Sequence, residues 1–583
     1  MRRAAWLLAP AVLGVVLSVA LLARARAANG ASGFPLDDAW IHLTYARNLH
    51  DHGVFSYFPG QPASAGSTAP LYTLLLAAGF WLVHDEKLLS YGLGIAAHAA
   101  FLWLAVLWGR RRLGGRAWPA LFAVLLALDP RIAILAVSGM ETSLFLCLVA
   151  LAFWARASGR ARCLGLALGL AVWVRPDALV LVAVLAIAGL LEGSAGGEPL
   201  ARRLAWLPPL ALLLALYLGF NLATGHVLLP NTFGAKRAYY SLAAGDPRGA
   251  FLHRDLEAAF LALGWAVLTP LAGLAVAREA LALQRRRPGR LLAESGWAVA
   301  LPLAYLVLLP FAHRFSRYLV PALPAVALLA LDVLREWSAR PAPPVVAWRR
   351  WLRPAALTLA AGALLWQASA VTAADRNYTI LCGYHYRRHE RTGRWLAAHT
   401  PADAVVATHD VGAIAYYSHR RIVDVAGLIQ PEAIPHLRQP DYTAFLEGLF
   451  ERQGVTHLAF MTNWLEVANQ APLWTAEESP EILQVYAWLP GKTLLVPELA
   501  TRLNREAGFL ARRGDMAGAV QALRRSIQVC PGDSHTWFLL GSVRQASGEL
   551  DRAERAYREA LRLYPGSSEA RAALEAPGAA PPR

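Results

Sequence analysis

Long apolar runs recur near 5–22, 68–83, 91–109, 117–136, 142–155, 163–174, 177–191, 204–220, 258–277, 297–312, 318–334 and 354–372. About 20 apolar residues cross the hydrocarbon of a bilayer as a helix, so a chain built this way has a membrane for its solvent. Several runs are shorter than that and need tilt or a broken helix. With 56% hydrophobic and 16% charged residues and a mean hydropathy of +0.37, the composition excludes an ordinary soluble enzyme. The run at 4–22 follows Arg2-Arg3 and precedes an Ala-Arg-Ala stretch, the marks of a cleaved signal peptide. It is nevertheless long enough to span, and the expectation is an uncleaved first helix.

The net charge of +16 has a telling distribution. Residues 1–372 hold 33 Lys/Arg against 17 Asp/Glu, whereas 373–583 hold 23 of each. The excess sits in clusters between apolar runs, at 110–116, 156–162, 202–203, 285–290 and 335–353, where cytoplasmic loops carry it. No nucleic-acid partner is expected. Assigning the clusters to the cytoplasm puts 221–257, 313–317 and everything after 373 outside. The count fails at the start: three runs lie between Arg2-Arg3 and 110–116, where an even number is required. One of the three is therefore re-entrant, or a cluster is misassigned. Cys147 and Cys163 fall in apolar runs and Cys382 and Cys530 stand apart, so no disulfide framework or thiolate site is implied.

Four regions are expected: a membrane module (1–372), an external α/β domain (373–500), a helical repeat array (501–570) and a disordered tail (571–583). Short β-rich runs at 404–409, 421–425, 456–461 and 482–489 alternate with amphipathic stretches, as in a small α/β domain. Further on, Gly514 and Gly548, Ala519 and Ala553, Ala522 and Ala556, and Pro531 and Pro565 are each 34 residues apart. With Trp537, Leu540-Gly541, Tyr557 and Ala560 in their slots, this region resembles tetratricopeptide repeats. Two repeats are few for a free-standing solenoid, so they are expected to lean on the α/β domain or on a protein partner.

The residues most suggestive of chemistry are Asp37-Asp38, just after the first apolar run. Acidic groups are costly near hydrocarbon and collect at interfaces or in polar cavities. A helix from Asp38 puts His42 and Tyr45 on its face, with Arg47 and Asn48 following. The plain alternative is an N-cap aspartate on a surface helix. At a cavity mouth, one carboxylate can serve as general base while its neighbour orients it or binds a divalent ion such as Mg or Mn.

The run DDAWIHLTYARNLHDHGVFSYFPGQPASAGSTAPLYTLLLA resembles the first external loop of GT-C glycosyltransferases, in the branch of bacterial arabinofuranosyl- and mannosyltransferases. Gly53, Pro59-Gly60, Ser67-Thr68 and Pro70-Leu71 match its turns and helix entry. The sequences Gly139-Met140-Glu141-Thr142, Arg175-Pro176-Asp177, Pro230-Asn231-Thr232 with Lys236, and Arg317-Tyr318 before Pro321 match further on. His409-Asp410-Val411-Gly412, Asp424 and Gly427-Leu428-Ile429 resemble the external domain behind such modules, and are read as structural or acceptor-facing. The likeness covers about 30–500.

The resemblance implies a GT-C-like polytopic helical fold with about 11–12 transmembrane segments, in the inner membrane, with the C-terminal domains extracytoplasmic. It implies inverting transfer of a hexosyl or pentosyl unit from a polyprenyl-phosphate donor to a glycan, lipid or protein acceptor. Asp37 or Asp38 would be the catalytic base. His42, Tyr45, Arg47, Glu141, Arg175, Asn231, Lys236, His313 and Arg317 are the candidates for holding the donor phosphate or substrate. Each basic group has a plainer reading: Lys236-Arg237 as interfacial snorkelling residues, Arg314 and Arg317 as headgroup anchors. Glu141 can be a helix cap. Two rival functions remain at this stage, a non-catalytic membrane scaffold and a transporter of lipid-linked sugars.

Overall fold

The computed structural model describes residues 5–61, 63–64, 66–196, 203–225, 228, 231–241, 246–262, 264–311, 313–339, 351–437, 439–462, 464–476 and 482–575. The chain divides into two compact units, Met1–Tyr386 and Arg387–Arg583.

In the first unit the apolar runs are helical. Among the described residues, six helices are long and apolar enough to cross a membrane, or seven if the pair Ala117–Ala127 and Pro130–Ala136, bent by 65°, counts as one span. The other apolar helices, Pro70–Phe80, Thr142–Ala157, Ala161–Val174, Ala178–Glu192 and Leu292–Leu308, have 10–17 residues. At 1.5 Å per residue these fall short of a hydrocarbon core of about 30 Å. Pro70–Phe80, with 11 residues, is only about 16 Å long. If it does not cross, two spans separate Arg2-Arg3 from the 110–116 cluster, and the count that failed in the sequence closes.

The bend between Ala117–Ala127 and Pro130–Ala136 has a local cause. Pro130 pushes Asp129 out of the helical region, to φ −68°, ψ 113°, and the Asp129 carboxylate caps the second helix by accepting from Arg131 N and Ile132 N. The Arg131 guanidinium folds back on that carboxylate at 2.8 Å, and Trp265 Nε1 donates to it at 2.7 Å. This buried ion pair is therefore hydrogen-bonded as well as charge-balanced.

Lipid-facing and interior helices differ in their exposed surface. On Ala5–Asn29, residues Leu8, Val12, Val16 and Val19 form one stripe, each at least half exposed, an apolar face suited to lipid. By contrast, the best apolar window of Arg314–Ala339 is wholly buried. Its Asp332, fully buried, accepts from Arg278 at 2.8 Å, from Arg335 at 2.9 Å and from Arg290. Just after Arg290 in the sequence, buried Glu294 accepts from Arg112 at 2.6 Å and from Trp108 Nε1 at 3.2 Å. These groups lie at the helix ends that adjoin the 110–116 and 285–290 clusters. Arg317 lies at the opposite end of the same span, before its α-helical part, Leu323–Ala339.

The second unit carries a five-stranded sheet in the order β2-β1-β3-β6-β5, where β1 is Val405–Thr408, β2 Arg421–Asp424, β3 His457–Met461, β5 Trp474–Ala476 and β6 Leu483–Ala487, while β4, Glu466–Val467, pairs with β7, Leu495–Val496, in a separate two-stranded sheet. Strand β1 is parallel to β2 and β3, and β6 runs antiparallel to β3 and β5. The four β-rich runs read from sequence are thus β1, β2, β3 and β6. Asp424 ends β2 and folds the next loop around itself, accepting from the N–H groups of Ala426, Gly427, Ile429 and Gln430. Gly427 sits at φ +77°, and a Cβ there would come within 2.5 Å of Ile434 Cγ1. Asp424 and Gly427 therefore have a structural explanation. His409 stacks on Trp464 at 4.5 Å, and Asp410 Oδ2 lies 2.8 Å from His389 Nε2 and 3.3 Å from His409 Nε2.

Behind the sheet come the helix pairs Glu498–Arg512 with Met516–Val529 and Ser534–Ala546 with Leu550–Leu563, followed by Ser568–Glu575. Gly541 lets the pair close, since a Cβ there would meet Tyr557 Cε1 at 2.4 Å. The repeats do lean on the α/β domain: Ala500 and Cys530 pack with Ala468 and Val496, and Ser534 Oγ donates to the Ala468 carbonyl.

Candidate active site

The loop helix Asp38–His52 begins at Asp37, which is itself helical at φ −69°, ψ −32° and whose side chain makes no capping hydrogen bond. Capping therefore does not explain the aspartate pair. Asp38 Oδ2 accepts from Arg317 Nη2 at 2.6 Å and lies 3.5 Å from Lys236 Nζ. Lys236, on the helix Asn231–Ser241, donates to the Tyr318 hydroxyl at 2.9 Å, and Arg317 Nη2 reaches the same oxygen at 3.2 Å. Three distant segments thus place one carboxylate, two cations and a phenol in mutual contact.

The segment that delivers Arg317 is held under strain. His313, Phe315 and Ser316 have φ of 61°, 60° and 51°, sparsely populated conformations that cost a non-glycine residue about 1–3 kcal/mol each. Such a conformation persists only where surrounding contacts over-determine it. One of them is Arg175 Nη1, which donates to the Arg317 carbonyl at 3.3 Å. Burial alone would push the Asp38 carboxyl up, but Lys236, Arg317 and His313 hold it well below the usual carboxylate range. Burial, reinforced by Arg317, holds the His313 imidazole well below its ordinary value.

Lys236 and Arg317 also line a cavity of about 290 Å³. One part of its wall is apolar, with Leu179, Val180, Phe233, Leu301 and Leu308; the other carries Glu141, Arg175, Lys236, Arg317 and Tyr318. Asp38 meets the cavity through its two cationic partners. Arg317 is 2% exposed, so it is not a headgroup anchor. Its Nε and Nη1 are buried and have no hydrogen-bond partner among the described residues. Buried donors left unmade are costly, about 1–3 kcal/mol each.

Glu141 caps no helix N–H with its side chain. It is 5% exposed, with Oε1 3.8 Å from Arg175 Nη1 and Oε2 3.7 Å from His42 Nε2. Those distances balance its charge without satisfying it, and Oε2 has no hydrogen-bond partner among the described residues. Arg175 is differently placed. Asp177 clamps it through two bonds, at 3.0 and 2.8 Å, and Tyr305 OH accepts from it at 3.0 Å while donating to Asp177 at 2.8 Å.

The remaining candidates separate. His42 is buried behind Glu141, 3.2 Å from Ser67 Oγ, and Tyr45 is buried against Ser64 and accepts from Gly66 N. Neither lines the cavity, nor does half-buried Arg47. The Asn231 side chain lies outside the described residues. His313 packs edge-on to Tyr318 at 5.9 Å. Arg237 is exposed, as a snorkelling residue would be. Asp177, Tyr305 and Tyr318 join the site without having been assigned roles in the sequence. Asp177 and Tyr318 each sit beside a flagged arginine, which was the available signal; Tyr305, inside an apolar helix, offered none. Among the described residues no group of three or more His, Cys, Asp or Glu is gathered to hold a metal ion. Asp38 is already turned to two cations.

Residues 376–504 match a family model described as a domain of unknown function, DUF8728, and residues 535–574 match a tetratricopeptide repeat. No curated protein sequence matches the chain. The fold is similar to ArnT from Cupriavidus metallidurans in a crystal structure bound to undecaprenyl phosphate. The TM-score is 0.52 at 16% identity, over 83% of this chain and 98% of that one. The apo structure of the same protein gives 0.50 at 15% identity, over the same shares. The chain therefore has the GT-C fold of polytopic membrane glycosyltransferases, followed by a small sheet domain and tetratricopeptide repeats.

Proposed function

We propose that the chain is an integral-membrane glycosyltransferase, moving a monosaccharide from a polyprenyl-phosphate donor to an acceptor hydroxyl with inversion. The carrying observation is Arg317, a buried guanidinium with two unpartnered donors among the described residues, which with Lys236 lines a cavity that is cationic at one part and apolar at the other. A polyprenyl phosphate has that same division. Undecaprenyl phosphate is bound by the structural neighbour ArnT, which supports the reading.

In the reaction the acceptor oxygen attacks the anomeric carbon as the bond from that carbon to the phosphate oxygen breaks. The phosphate leaves with the electron pair, and the acceptor proton passes to an aspartate of the first loop. Arg317 and Lys236 stabilise the charge that develops on the departing phosphate. In the empty site the same two cations hold Asp38 ionised and weakly basic. Once they turn to the phosphate, Asp38 loses its partners and its basicity rises, so the base becomes competent only with donor bound. Glu141 Oε2 is suited to accept from a sugar hydroxyl. The reading routes no step through a metal. It takes the inner membrane as the location, with the sheet domain, the repeats and the acceptor, whether glycan, lipid or protein, outside.

The test is transfer of labelled sugar from a panel of polyprenyl-phosphate sugars by wild type, Asp37→Asn and Asp38→Asn, with divalent metal and with chelator. Loss in Asp38→Asn with donor binding retained is the expected result. Loss in Asp37→Asn alone would move the base by one residue, and loss with chelator would add a divalent ion to the site. Full transfer by both variants would overturn the assignment.

A further inference from the structure

A second cavity, of about 410 Å³, lies wholly within the second unit, between the sheet domain and the repeats. One wall is the helix Tyr442–Gln453, which presents Glu447 and Glu451 one turn apart. Burial, with Glu451 beside it, raises the Glu447 carboxyl above its ordinary value. The facing wall is the turn after β6, which carries Trp488 and Lys492, and Leu494 and Leu563 add apolar surface.

That turn is rigid. Asn469 holds it from both sides, donating to the Lys492 carbonyl at 2.6 Å and accepting from Leu494 N at 3.0 Å. Thr493 Oγ1 accepts from Leu489 N at 2.9 Å. The repeat side keeps clear because Gly532 has no side chain; a Cβ there would stand 2.7 Å from Leu494 Cδ2. Trp488 is 5% exposed, packed edge-to-face on Phe450 at 5.1 Å, and its Nε1 is buried with no hydrogen-bond partner among the described residues. A buried indole N–H normally finds an acceptor. Here an acceptor is missing on a ring that lines a cavity.

We infer that this cleft is a saccharide-binding site, distinct from the membrane cavity. Its lining mixes a donor, the Lys492 ammonium, with acceptors, the two carboxylates, beside apolar surface and an indole whose buried N–H has no partner among the described residues. An anion would match only the donor and an amine only the acceptors. A sugar ring matches both, since each hydroxyl donates and accepts and the C–H face is apolar. The volume falls within the usual range for small-molecule sites, about 300–1,000 Å³. The choice of a sugar among polyols rests on the glycosyl-transfer reading.

The experiment is saturation-transfer NMR on the full chain in a detergent without a sugar headgroup. The probes are the methyl glycosides of glucose, mannose, galactose, arabinose and N-acetylglucosamine. Wild type and Asp38→Asn are expected to saturate at least one glycoside equally. Trp488→Phe keeps an aromatic ring against Phe450 but loses the five-membered part of the indole with its N–H, which has no partner among the described residues; this variant and Glu447→Gln should each weaken that glycoside about tenfold. Saturation of none by wild type, or binding unchanged in both cleft variants, would overturn the site. Binding retained in Asp38→Asn while transfer is absent from every form would leave the cleft standing and remove the transferase reading.

Discussion

Arg317 and Asp38, 279 residues apart in the chain, meet at 2.6 Å in a direct charge-assisted hydrogen bond. The contact joins the loop helix Asp38–His52 to the entry of the buried helix, and it makes the state of the carboxylate depend on whatever else the guanidinium binds.

The pH profiles should therefore separate. A carboxyl held below its usual range adds stability above the ordinary carboxylate pKa, and that stability is lost as pH falls through the depressed value. Asp38 of the free enzyme is thus ionised from pH 5 upward, about one unit above the ordinary value. We expect kcat/KM, which reports the free enzyme, to stay flat down to about pH 5. In kcat, which reports the donor complex, an acid limb should stand at higher pH. A pH series under saturating and limiting donor measures both, and identical acid limbs would refute donor-coupled release of the base.

Arg317→Lys keeps the charge and loses the planar fork. Its transfer efficiency should fall about 10- to 100-fold, the worth of one charge-assisted hydrogen bond. Lys236→Met should act mainly on donor affinity. Steady-state kinetics with varied donor distinguishes the two, and a wild-type Arg317→Lys enzyme would mean the unpartnered donors serve no phosphate.

Tyr305→Phe removes a hydroxyl that both accepts from Arg175 and donates to Asp177. A loss of about 1–3 kcal/mol in stability is expected, read as a lower thermal midpoint in detergent. Donor binding should change less than it does in Arg317→Lys, because the Arg175–Asp177 pair survives.

Gly139→Ala tests the backbone that carries Glu141. Gly139 has φ +75°, and a Cβ there would stand 2.7 Å from Ala39 Cβ and 2.8 Å from Phe34 Cδ1. Overpacking of about 1–3 kcal/mol adds to left-handed strain, next to the residue that follows Asp38. Transfer and thermal midpoint should both drop. Gly92→Ala, where nothing lies within 4 Å of the new atom, is the control and should be neutral or slightly stabilising.

What could be read from the sequence follows from which signals are local. Apolar length located the helices but not the number of spans, since six or seven of the described helices, rather than about 11–12, are long enough to cross; alternation gave β1, β2, β3 and β6, although the two-residue strands Glu466–Val467 and Leu495–Val496 are too short to show a period. The cost of charge near hydrocarbon singled out Asp38, Lys236 and Arg317 one by one. Their meeting needed tertiary structure. Helical spacing put His42 and Tyr45 on the face of Asp38, yet residues Ala39 to Ala46 of that helix are all buried, so sharing a face does not mean sharing a cavity. Tyr305 escaped notice because an aromatic in an apolar run is normally packing.

The helix Leu323–Ala339 touches little or no lipid along its length. Asp332 near one end is latched by three arginines, and Arg317 stands just before the other. Seventeen residues make a strut of about 25 Å. Bilayer thickness acts on helices through their contact with acyl chains, and this one has almost none to offer. A thicker or thinner membrane can tilt the outer helices, but the depth of Arg317 is fixed by protein-to-protein contacts and does not follow the lipid.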